Sequence, residues 1–214
     1  VDEWETQREE EKEGAAAMND FLRMLIVALL AITTENVLFV GGFGFSRMLR
    51  AARKPRTMAW YSVLVAFFSL VSILLSQVLS PLFVGVSSAP LIRPALYAAS
   101  AAVVYVLAAF LLKTAAPRFY KKVGAILAPS AINCVVIAMP FIQRNFQYNV
   151  MQSIGFALGT GIAFLAASIV FALALKNHKN SDMPAAFSGL PAVLIYVGIL
   201  SMAFVGLTGG SVIL

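Results

Sequence analysis

Apolar and polar positions alternate in long blocks along this chain. Six apolar stretches cover Phe21–Phe45, Met58–Leu79, Arg93–Leu112, Val123–Ile142, Met151–Leu175 and Leu190–Gly210. Each is close to the ~20 residues an α-helix needs to cross a bilayer. In lipid a segment must satisfy its own backbone polar groups, so each stretch is expected to be helical. The pattern predicts an all-α integral membrane protein. One six-helix transmembrane domain covers residues 21–214, and an acidic polar extension covers residues 1–20.

The polar blocks orient this bundle. Arg47, Arg50, Arg53, Lys54 and Arg56 follow the first stretch. Lys113, Arg118, Lys121 and Lys122 follow the third, and Lys176, His178 and Lys179 follow the fifth. The intervening connections carry only Arg93 and Arg144. Basic loops stay on the cytoplasmic side, so both termini are predicted outside. Composition agrees: 60% of residues are hydrophobic and 12% charged, against about a quarter charged in a soluble domain. The net charge of +6 sits between membrane segments, so it orients the chain and is no sign of nucleic-acid binding.

Residues 1–20 hold Asp2, Glu3, Glu5, Glu9, Glu10, Glu11, Glu13 and Asp20 against Arg8 and Lys12. Such a segment is expected to be a frayed helix or disordered. It lacks the apolar core and cleavage pattern of a signal peptide.

Three crossings per half is an odd number, so related halves would have to be inverted, as in many ion-moving proteins. The first helix of each half is expected to be broken. Gly41, Gly42 and Gly44 cluster in the first, and Pro129 and Pro140 bracket Ser130–Met139 in the second. Glycine and proline weaken a helix interior by about 1 and 3 kcal/mol. Ordinary kinks or close helix contacts are the alternative reading. Gly155, Gly159, Gly161, Gly198 and Gly206 are expected to let helices approach closely.

Few residues carry chemistry. Glu35 is the only acid between Asp20 and Asp182. It stands beside Thr33, Thr34 and Asn36 inside the first stretch, where a carboxyl is costly and faces a partner or a water-filled path. It either exchanges a cation or proton or binds helices together. Cys134, after Asn133, is the only cysteine. By spacing alone a lone buried thiol is a small hydrophobe, and no disulfide can form within the chain. There is no Ser–His–Asp set, phosphate loop or zinc spacing, so hydrolytic catalysis is not expected.

Three segments carry a family resemblance. They are Met18–Val40 (MNDFLRMLIVALLAITTENVLFV), Tyr120–Val136 (YKKVGAILAPSAINCVV) and Asp182–Gly209 (DMPAAFSGLPAVLIYVGILSMAFVGLTG). They resemble the membrane subunits shared by the Rnf complex and the sodium-pumping NADH:quinone oxidoreductase, in the Rnf A / Nqr E branch. The Asp-x-Pro-x-x-Phe-x-Gly opening of the third segment is the most specific part.

The resemblance implies six transmembrane helices in two inverted three-helix repeats, with the first helix of each broken. It implies pairing with a homologous membrane subunit of opposite topology, in a bacterial or archaeal inner membrane. Each subunit of such a pair gives two cysteines to a shared two-iron, two-sulfur cluster, a group that needs four ligands. Cys134 with Asn133 matches the second motif. The first motif departs: aligning Asn36 with the family asparagine puts Ser46 where a cysteine belongs, and Arg47 where proline follows. Ser46 could ligate through oxygen, another subunit could complete the site, or the chain is a cluster-free paralogue.

The implied function is electron relay across the membrane region, coupled to Na+ or H+ movement, with Glu35 on the ion path. Partner subunits carry the flavin and iron–sulfur centres, so the chain is not an enzyme alone. The alternative is a cluster-free scaffold or a small-solute or ion transporter.

Overall fold

The computed structural model describes residues 2–33, 36, 38, 39, 42, 44, 47, 48, 55–79, 81, 89–177 and 189–207. Seven helices and no strand are found among them. They are α1 (Asp2–Ile32), α2 (Pro55–Leu79), α3 (Ala89–Ala115), α4 (Pro117–Ala131), α5 (Cys134–Phe146), α6 (Val150–Asn177) and α7 (Leu190–Leu207).

Four helices are long and apolar enough to cross a membrane, over Gly14–Ile32, Thr57–Leu79, Ile92–Ala115 and Val150–Ala174. Helices α4 and α5 meet at a bend of 50° and make a fifth span if taken together. The apolar part of α7, Pro191–Gly206, is shorter than these four. The structure therefore supports four to five spans of the six that hydropathy predicts. The acidic N-terminal segment is helical from Asp2 and runs without interruption into the first apolar stretch.

Helix α6 organises the bundle, with more than half of its apolar window buried. Phe156, Phe164 and Phe171 are fully buried along it and join Val27 and Ala31 of α1, Val65 and Ile73 of α2, and Val135 and Met139 of α5. Its glycines allow this. A Cβ on Gly155 would strike the backbone oxygen of Met24, and one on Gly159 the backbone oxygen of Ala28. One on Gly161 would strike Ala66 Cβ of α2, where Ser62 Oγ also donates to the Gly161 carbonyl. Small residues at GxxxG spacing let helix backbones touch, and van der Waals packing then holds them. Gly198 and Gly206 behave otherwise. No atom lies within 4 Å of a Cβ built on either, so the expected close approach is corrected there. Both are exposed, on a helix at the edge of the bundle.

The contacts also fix direction. Met24 meets Gly155 and Ala28 meets Gly159, so α1 and α6 run parallel. Ser62 meets Gly161 while Gln77 donates to Ser153 Oγ at 3.0 Å, so α2 and α6 run antiparallel. Tyr61 donates to the Pro129 carbonyl at 2.7 Å and Ser72 to the Val136 carbonyl at 3.1 Å, so α2 follows α4–α5 in the same sense. The start of α2, the end of α3, the start of α4 and the end of α6 therefore share one end of the bundle. These are the ends beside the three basic blocks of the sequence.

Both interruptions fall in the segments that glycine and proline mark, though neither helix stops on those residues. Helix α1 ends at Ile32, and Thr33 lies in a turn with its hydroxyl on the Leu29 carbonyl at 2.9 Å. In the second half Pro129 lies inside α4 and Pro140 inside α5. The chain breaks between them, at Ile132–Asn133. Membrane helices tolerate proline where neighbours satisfy the freed carbonyls. At Pro129 the carbonyl that loses its helical amide is that of Ala125. Tyr61 takes the carbonyl of Pro129 itself, one of those left open in the last turn of α4, and Asn133 starts the new helix.

Candidate functional site

Asparagine side chains punctuate both breaks. Asn133 is extended (φ −116°, ψ 139°) and caps α5 by accepting from the Val135 amide at 3.4 Å. Asn36 Oδ1 accepts from the Leu38 amide at 3.1 Å and the Phe39 amide at 3.4 Å, and its Nδ2 donates to the Ile32 carbonyl at 3.0 Å. Asparagine does this well because a short amide replaces the turn bonds that the helix has given up. Both residues are buried.

The two breaks meet in space. The Gly44 amide donates to Cys134 Sγ at 3.2 Å, across 90 residues of chain. A Cβ on Gly44 would lie 2.7 Å from Val135 Cγ2 and 3.1 Å from Asn133 Oδ1. Its φ of +75° is a second reason for glycine, since L side chains rarely adopt that region. Cys134 is the first residue of α5, and its thiol faces Asn133 Oδ1 at 3.7 Å. Among the described residues Asn133 Nδ2 is buried with no hydrogen-bond partner.

The crossing lies midway along the spans. The contacts of Tyr61 with Pro129 and Ser72 with Val136 bracket Asn133 and Cys134 near the middle of α2. Helix α1 likewise ends beside the middle of α6, because Gly159 packs against Ala31. Ser69, between Tyr61 and Ser72, is fully buried, and among the described residues its hydroxyl also lacks a partner.

Of the residues singled out in the sequence, Asn133 and Cys134 come together here with the Gly44 amide. Asn36 caps the other break. Glu35 and Ser46 lie outside the described residues. The Gly44 contact was missed: the glycine cluster signals an interruption, but nothing local says which thiol it faces. Cys134 is exposed within this chain, which leaves its sulfur open to a neighbour. No group of three or more His, Cys, Asp or Glu side chains able to hold a metal exists among the described residues. One thiol can serve as one ligand. The donors of this chain alone do not fit a cluster that needs four.

Apolar spans with two opposed interruptions facing one another at mid-bundle define a multi-pass membrane protein built around a central crossing. A family model described as "Rnf-Nqr subunit, membrane protein" matches residues 24–210, and the chain belongs to that family. It is a membrane subunit of the kind found in ion-translocating electron-transport complexes. It is 25% identical to the A-type subunit of the ion-translocating oxidoreductase complex of Syntrophotalea carbinolica, over 87% of this chain and 96% of the relative. It is 33% identical to the protein of that name from Tolumonas auensis, over 44% of this chain and 49% of the relative. It is also 33% identical to the A-type subunit of the proton-translocating ferredoxin:NAD(+) oxidoreductase complex of Clostridium ljungdahlii, over 46% of this chain and 51% of the relative. The last two alignments span about half of each relative, whereas the first spans nearly its full length.

Proposed function

We propose that this chain is the A-type membrane subunit of an Rnf-like complex, placing one sulfur at the membrane centre of an electron path coupled to Na+ or H+ movement. The observation that carries this reading is the Gly44 amide on Cys134 Sγ where the two broken spans meet. An amide donating to a sulfur stabilises its negative charge and is one lever by which proteins tune an iron–sulfur centre. A thiol that is open to a neighbour also suits a site completed by a homologous subunit.

In this reading the chain forms two inverted three-helix units, α1–α3 and α4–α7. The opposite directions of α1 and of the α4–α5 pair support it. The gathering of basic ends at one end of the bundle supports a cytoplasmic assignment for that end and an outer one for both termini, in a bacterial inner membrane. Glu35, next to Asn36, supplies the carboxylate of the ion path. Flavin and nicotinamide chemistry belongs to partner subunits, and so do the iron–sulfur ligands that this chain lacks.

A specific observation favours a second reading. The sequence holds one cysteine, with Ser46 at the other family position, so the protein could be a cluster-free scaffold. Iron separates the two. The relay reading expects the purified complex to hold iron that is lost with this chain, and an electron paramagnetic resonance signal on reduction that changes in Cys134→Ser. A complex with the same iron content and spectrum with or without the Cys134 thiol contradicts it.

A further inference from the structure

Helix α4 opens on a two-faced turn. Arg118, Lys121 and Lys122 are all exposed and lie at i, i+3 and i+4, so they share one face. Val123, Leu127, Ser130 and Ala131 of the same helix are buried. Lys113, also exposed, lies in the last turn of α3. Only Ala116 separates the two helices, so all four cations belong to one corner of the bundle.

Among the described residues no acid lies on α2, α3, α4 or α6. Between Asp20 and Asp182 the sequence has one, Glu35, and it precedes the mid-bundle crossing. Lys122 Nζ instead sits 4.8 Å above the Trp60 ring, and Trp60 meets Phe119 edge-on at 5.1 Å between centroids. Trp and Tyr rings beside lysines mark the headgroup depth of a bilayer. Below the cations, towards the membrane centre, α3 exposes Val103, Val106, Leu107, Phe110 and Leu111. Their spacing of i, i+3, i+4, i+7 and i+8 makes one continuous apolar strip along the helix. It leads up to Lys113.

We infer that this corner is a binding site for an anionic phospholipid. Lys113, Arg118, Lys121 and Lys122 take the headgroup phosphate, and the α3 strip from Phe110 to Val103 takes an acyl chain. The joint presence of both parts selects a lipid. Free phosphate has no use for the apolar strip, and an acidic soluble protein cannot reach down it. Basic residues at a membrane surface attract anionic lipid through long-range charge, which salt screens.

The test uses the full chain in detergent micelles, titrated with phosphatidylglycerol or phosphatidylcholine and followed by native mass spectrometry. Wild type is expected to bind phosphatidylglycerol about tenfold more tightly than phosphatidylcholine, with the preference falling as salt rises. The fourfold variant Lys113→Gln, Arg118→Gln, Lys121→Gln, Lys122→Gln should lose the preference. The control Arg93→Gln, Arg144→Gln, at the other end of the bundle, should keep it. Should the fourfold variant fail to fold, the wild-type salt dependence decides on its own. Equal binding of the two lipids, or a preference that is indifferent to salt, overturns the inference. So does inorganic phosphate displacing phosphatidylglycerol at equal concentration, which would mean a bare anion site. Loss of lipid binding when the rest of the complex assembles would assign the corner to a protein partner and equally overturn it.

Discussion

Gly159→Leu is expected to undock α1 from α6 and to destabilise the protein by about 3 kcal/mol or more, the upper end of what overpacking costs. The wall facing this glycine is the Ala28 backbone oxygen and the Ala31 Cβ, neither of which can rotate aside. A four-carbon side chain therefore forces the helices apart. The strip that includes Val27, Ala31 and Phe156 then loses its close contact. Helix α1 is otherwise poorly held, with about a tenth of its apolar window buried. The α6 seam is thus most of what fixes its position. Gly198→Leu on α7 is the matched control, since no atom lies within 4 Å of its Cβ. It should stay within about 0.5 kcal/mol of wild type, as exposed substitutions do. Unfolding in a detergent–denaturant titration reads both. Equal losses for the two would mean that α1 does not dock on α6 through its glycines.

Cys134→Ala is expected to lower electron flow through the assembled complex by more than roughly 100-fold. That exceeds the roughly 10–100-fold lost when a group that merely supports a metal ligand is removed. Its folding cost should be small, because the residue is exposed within this chain and, among the described residues, its sulfur accepts from the Gly44 amide and donates weakly to Asn133 Oδ1. The two effects separate cleanly. A relay sulfur gives an assembled but slow complex, measured as ferredoxin- or NADH-driven electron transfer in membrane vesicles. A packing sulfur gives normal turnover, and the scaffold reading then stands.

How much of this was legible in the sequence follows from range. Hydropathy is a local property, so the helices appeared where the apolar stretches lie. The roles of Gly155 and Gly159 were legible too, because GxxxG spacing on an apolar helix has a direct packing meaning. Gly198 and Gly206 also stand on an apolar helix, though eight residues apart, but they face outward, and a glycine does not say which way it points. The two interruptions do fall in the segments that glycine and proline mark, but the residue at which each helix stops was not legible. Pro129 looks like a breaker, yet the helix runs through it to Ala131, and Tyr61 takes the Pro129 carbonyl, left open at that helix end, across 68 residues. The break belongs to Asn133, whose side chain bonds Val135 locally, a signal present in the sequence and outweighed there by proline. The contact of Gly44 with Cys134 could not be read at all, because each residue looks ordinary until the two spans are laid across one another.

The account depends most on Cys134 lying at the centre of the membrane. Because it is the only cysteine, a nitroxide can be attached there without other changes. Its depth then follows from how oxygen and a water-soluble nickel complex relax it in the reconstituted protein. The account predicts a label near the bilayer midplane, relaxed by oxygen and shielded from nickel. A label at headgroup depth, relaxed chiefly by nickel, would place the crossing outside the membrane and contradict it.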